Sequence, residues 1–79
     1  MSTDLVRQAA ALREQGNLQQ AIELVEANLS KFDEITRLLA LLQAFYAAKE
    51  ANDQSKARSL AKLVAAEDPE VPSIQEYLE

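Results

Sequence analysis

EITRLLALLQAFYAAKEANDQSKA, residues 34–57, decides the fold. Asp33 is placed to cap a helix from about Glu34 to Ala51, and Ile35, Leu38, Leu39, Leu41, Leu42, Phe45 and Tyr46 follow at helical rather than alternating spacing. These side chains occupy more than one face, the pattern of a helix packed between neighbours. Asn52-Asp53 supplies a turn, and Asp53 is a natural cap for a fourth helix. In that helix Ala57, Leu60, Ala61 and Val64 form an inner stripe, and Pro69 lies just past its end.

Upstream, the spacing predicts a first helix from about Thr3 to Gln15, with Ser2 as cap, Asp4 at its positive end and Leu5, Ala9 and Leu12 in phase. Gly16 ends it, because glycine accepts the left-handed conformation that closes a helix. Asn17 and Gln20 have capping-box spacing for a second helix carrying Leu18, Ala21, Ile22, Val25 and Leu29, and Ser30 to Asp33 reads as a connection. Downstream, Pro72-Ser73 and Glu76 announce a short closing helix over about 73–78, with Ser73 and Glu76 again at capping-box spacing.

Seventy-nine residues make a single domain, 1–79, with no second core. A chain of this size buries only about 60–65% of its unfolded surface, so it needs a staple or unusually good packing. No cysteine is present for a disulfide, and no cysteine or histidine for a structural zinc. The net charge of −5 repels phosphate backbones and no Lys/Arg stripe offsets it, so nucleic acid is not an expected partner. The longest apolar run, Leu38 to Ala48, is interrupted by Gln43 and falls far short of the roughly 20 residues of a membrane span. Met1 to Asp4 carries no basic segment ahead of an apolar one, so no signal peptide is expected and the acidic chain is assigned to the cytoplasm.

The two hairpins repeat. With a shift of 36 residues Gly16 falls on Asn52, Ala21 on Ala57, Leu24 on Leu60, Val25 on Ala61, Leu5 on Leu41 and Ala9 on Phe45. A small residue five positions after each turn lets the second helix approach the first closely, and internal repetition at this period points to a helical solenoid.

On these residues the chain resembles the tetratricopeptide repeat family, whose unit of about 34 residues has a small turn residue, an Ala five positions on, and a Pro after the second helix. Asn52, Ala57 and Pro69 match in the second unit, about Leu38 to Val71; Gly16 and Ala21 match in the first, about Ser2 to Ile35, where Asp33 stands in place of the Pro. Leu12 and Ala48 stand where the family often has Tyr. The resemblance implies an all-α, TPR-like fold: helical hairpin repeats forming a fragment of a right-handed α-α superhelix, four helices plus a short C-terminal helix. It also implies an adaptor, a non-enzymatic protein-protein interaction module that holds a peptide or partner helix in a shallow apolar groove. The groove positions carried over are Val6, Ala10 and Arg13 from the first helix, with Leu39, Leu42, Tyr46 and Lys49 from the third. The family's clamp for chaperone tails does not carry over, because Val6 and Ala10 occupy its first-repeat positions.

The periodicity agrees with part of that surface: Leu39, Leu42, Tyr46 and Lys49, three or four apart, make one helical stripe, apolar with a basic end. The same leucines also read as core, since a central helix touches the helices on both sides. Arg13 and Lys49 read as solvated, or as anchors for a carboxylate. Two units are fewer than a solenoid usually needs. The shortage is met by the closing helix around Ile74, Tyr77 and Leu78 folding over the fourth helix, by a homodimer, or by further chain; a self-associating helical bundle or assembly subunit is therefore the alternative function.

Chemistry is not expected. Without histidine or cysteine the usual general base, thiol nucleophile and zinc sites are missing, and a single glycine cannot build a phosphate loop. The acidic pairs Asp33-Glu34, Glu23 with Glu26, and Glu67-Asp68 read as caps and solvated faces. No catalytic residue, metal ligand or cofactor is assigned.

Overall fold

A computed structural model of the chain describes residues 2–78, with only the backbone of Ser2. The proposed Ser2 cap therefore lies outside the described side chains. The elements are α1 (Ser2–Glu14), α2 (Leu18–Ala27), a 3-10 turn (Leu29–Lys31), α3 (Glu34–Glu50), α4 (Gln54–Glu67) and a 3-10 closing segment (Pro72–Tyr77), with no strand among the described residues. The four expected longer helices are present, with ends moved by one or two residues. None of the described helices is long and apolar enough to cross a membrane.

The two hairpin turns close in the same way. The Gly16 amide donates to the Arg13 carbonyl (3.0 Å) and the Asn17 amide to the Leu12 carbonyl (2.8 Å). At the second turn Asn52 donates to Lys49 (3.0 Å) and Asp53 to Ala48 (3.0 Å). Both are Schellman closures, which require a left-handed residue just past the helix. Gly16 has φ +83° and Asn52 φ +58°. A Cβ on Gly16 would meet nothing within 4 Å, so only the backbone resists a side chain there. Gly16→Ala should therefore cost about 1–2 kcal/mol, while Asn52→Gly should raise stability; urea denaturation of the two variants checks the opposite signs.

Asp33 forms a capping box with Thr36: the Thr36 amide donates to the Asp33 carboxylate (2.9 Å) and the Asp33 amide to the Thr36 hydroxyl (3.1 Å). The bonds from the Thr36 amide and hydroxyl hold the Asp33 carboxyl below the usual carboxylate range, with a smaller contribution from the Arg37 charge. A folded-state pKa lowered in this way stabilises the fold above the unfolded value and ceases to do so as pH falls through the folded value. Asp33→Asn keeps a capping oxygen. Its stability should match the parent at neutral pH and fall less steeply on acidification below about pH 4; thermal melts across that range measure the difference.

Two other caps differ from expectation. Asn17 makes no side-chain cap, and its side-chain Nδ2 donates instead to Gln15 Oε1 (3.2 Å). As the second residue of the Schellman turn it has φ −84° and ψ +64°, outside the extended backbone typical of a capping residue. The closing segment is 3-10 rather than α-helical and begins after Val71, without a side-chain cap. Ser73 lies inside it, and its hydroxyl meets the Tyr46 hydroxyl at 3.3 Å. Asp53 does cap α4, accepting from the Lys56 amide at 3.1 Å.

α3 lies at the centre and packs against α1, α2 and α4, while the closing segment packs on α4. The molecule measures 34 × 26 × 18 Å, and its least dimension is the thickness of two helices of about 10 Å. Ala9, Ala21, Ala40, Ala44, Ala47, Ala48, Ala57 and Ala61 make up half of the buried apolar residues. Small side chains at helix contacts permit the short end of the usual interaxial range, about 8 Å. The expected α4 stripe, Ala57, Leu60, Ala61 and Val64, is buried throughout, and Ile74 of the closing segment is also fully buried. Phe32 fills the core after the 3-10 turn. Leu29, expected in α2, lies in that turn and is partly buried. No buried side-chain nitrogen or oxygen among the described residues lacks a hydrogen-bond partner.

Candidate partner-binding surface

α3 presents a stripe in which exposure falls along the helix. Ile35 is 75% exposed and Leu39 45%, whereas Leu42 and Tyr46 are half-buried against the core. Core and surface are thus parts of one stripe: Leu39 is mainly surface and Leu42 is partly core. Ile35 stands four residues before Leu39 and continues the same face. An isoleucine at the first turn of an otherwise buried helix reads as core by periodicity alone, so its exposure was not foreseeable from the sequence.

The stripe's other end is polar and more constrained than expected. The Arg13 guanidinium pairs with Glu50 (2.6 Å), donates from Nε to Gln43 Oε1 (3.0 Å), and lies 5.4 Å from the centre of the Tyr46 ring. These contacts join the last turn of α1 to the C-terminal half of α3. The Lys49 ammonium sits 5.6 Å from the centre of the Phe45 ring. Among the described residues no carboxylate pairs with Lys49. Arg13, Tyr46, Lys49 and Glu50 line a shallow, open depression of about 380 Å³. Three of the seven carried-over positions therefore meet in one place. Val6 and Ala10 are half-buried on α1, with Val6 packed against the core, and do not line that depression.

A second depression of about 330 Å³ lies between Leu29, Arg37, Leu41, Leu63 and Glu67. Arg37 and Glu67 approach to 4.0 Å beside it, and Leu63 is 43% exposed. Leu63 is the one large apolar residue of α4 outside the inner stripe, the only sequence signal that this second surface has.

The acidic pairs do not assemble into a site. Asp33 caps α3, Glu26 pairs with Lys56 (2.9 Å), Glu23 accepts from Gln19, and Asp68 accepts from the Glu70 amide. Among the described residues no group of three acidic side chains could hold a metal ion. The Lys56 ammonium is pushed up by its hydrogen bond to Glu26 and by that carboxylate's charge, but this half-exposed link between α2 and α4 contributes little.

No protein-family model, curated protein or solved structure matches the chain.

Proposed function

We propose that the chain is a non-enzymatic protein-interaction module made of two tetratricopeptide-type hairpins and a closing segment, and that the α1/α3 face receives a helix or peptide. The observation that carries this reading is the exposed pair Ile35 and Leu39, on the helical stripe that Leu42 and Tyr46 continue toward Arg13 and Lys49. Large exposed apolar side chains grouped on one face mark interaction sites more often than single ones do. The repeat itself is supported by the matching turns at Gly16 and Asn52, by buried Ala21 and Ala57 five residues later, and by the Arg13–Glu50 pair between the last turns of α1 and α3.

Ile35→Lys with Leu39→Lys tests the reading, because both side chains are exposed enough to be changed with little effect on folding. A peptide selected from a displayed library should bind the parent and lose at least about tenfold in affinity on the double variant, with an unchanged circular-dichroism melt. A selected peptide that binds both proteins equally would remove this face as the site.

A further inference from the structure

We infer that the helix received by this face is α3 of a second copy, packed antiparallel about a twofold axis. This inference rests on the α1/α3 face being the interaction surface, and it names that face's occupant. Ile35, Leu39, Leu42 and Tyr46 are spaced four, three and four apart, the seam spacing of paired helices. Set antiparallel, two such seams match large side chains at every step, with Ile35 opposite Tyr46 of the second copy and Leu39 opposite its Leu42.

Charge favours the antiparallel pairing. The α3 N-terminal end carries Asp33 and Glu34, both exposed, with Arg37 offsetting part of the Asp33 charge. Its C-terminal end carries Lys49 and, from α1, Arg13, with Glu50 offsetting one of these two charges. A parallel pairing puts acid against acid and base against base; the antiparallel one brings the Asp33–Glu34 end of each copy to the Lys49 end of the other. In the register set by the apolar residues, Glu34 falls within a turn of Lys49 of the second copy, on the same flank of the seam. Opposed helix dipoles act in the same direction. A twofold interface contains every such pair twice, so one substitution is felt at two places.

Sedimentation equilibrium of the full chain into the high micromolar range should show a reversible monomer–dimer equilibrium. Leu39→Glu should abolish it without altering the circular-dichroism spectrum. Glu34→Lys and Lys49→Glu should each weaken the dimer about tenfold through two lost surface pairs, and the two together should restore it to within about threefold. A monomer at all concentrations, a dimer indifferent to Leu39→Glu, or charge variants that fail to rescue one another would each overturn the inference. The displayed-peptide selection separates the two failures: a monomer that binds a peptide through Leu39 leaves the interaction face standing with a foreign occupant, and one that does not removes both.

Discussion

Phe45→Ala is expected to remove about a quarter or more of the folding stability of the chain. The Phe45 side chain is fully buried. Its ring meets Tyr77 edge-on at 5.3 Å and 89°, and Tyr46 at 5.6 Å, so it joins α3 to the closing segment. Truncating a core phenylalanine costs about 3–5 kcal/mol, from lost transfer energy and the cavity left behind. A domain of this size has only about 4–12 kcal/mol in total. The buried alanines beside it on α3, Ala44, Ala47 and Ala48, have no side-chain length with which to fill the gap. Urea titration followed by circular dichroism should show a midpoint reduced by at least about a quarter, or no folded baseline. A loss under about 1 kcal/mol would mean that the ring is not a core element.

The second large effect is expected at Ile74. This residue lies in a 3-10 segment near the end of the chain, where substitutions are ordinarily tolerated, yet it is fully buried and its segment packs on α4. Ile74→Ala should cost about 2–5 kcal/mol, whereas Leu78→Ala, at a 37% exposed residue four positions on, should fall within about 0.5 kcal/mol of the parent. Amide hydrogen exchange distinguishes the mechanism. Loss of the Ile74 side chain should free the closing segment and raise exchange in α4, while the α1–α2 hairpin keeps its protection relative to global stability. Equal melting of the Ile74 and Leu78 variants would show that the closing segment does not complete the core.

These effects follow from a division of labour visible along the chain. Where a signal acts within one turn of backbone, the residue type was sufficient. Gly16 and Asn52 adopt positive φ because few other residues tolerate it, and Asp33 and Asp53 cap because their carboxylates reach an amide three residues on. The α4 stripe was equally readable, since every member lies on one helical face. Of the two failures one was local and the other tertiary. Asn17 and Ser73 have capping chemistry, but the Schellman turn set the backbone of one and a hydroxyl contact with Tyr46 claimed the other.

The candidate surface was legible only in part. Tyr46 and Lys49 were placed together by helical spacing, and Arg13 joined them through the repeat. That Arg13 is already held by Glu50 and Gln43 depends on residues 37 and 30 positions away, which no local pattern encodes. The exposure of Ile35 and Leu39, on which the proposed interface rests, is of the same kind.

Helix positions, turns, the Asp33 and Asp53 caps and the inner stripe of α4 were therefore settled by residue chemistry at short range, because each depends on contacts within a few residues. Which apolar residues of α3 stay in water was settled by tertiary packing. α1, α2 and α4 surround that helix on its other sides, leaving Ile35 and Leu39 uncovered. The helical periodicity of an apolar stripe specifies which side chains share a face. It does not specify whether that face meets another helix of the same chain.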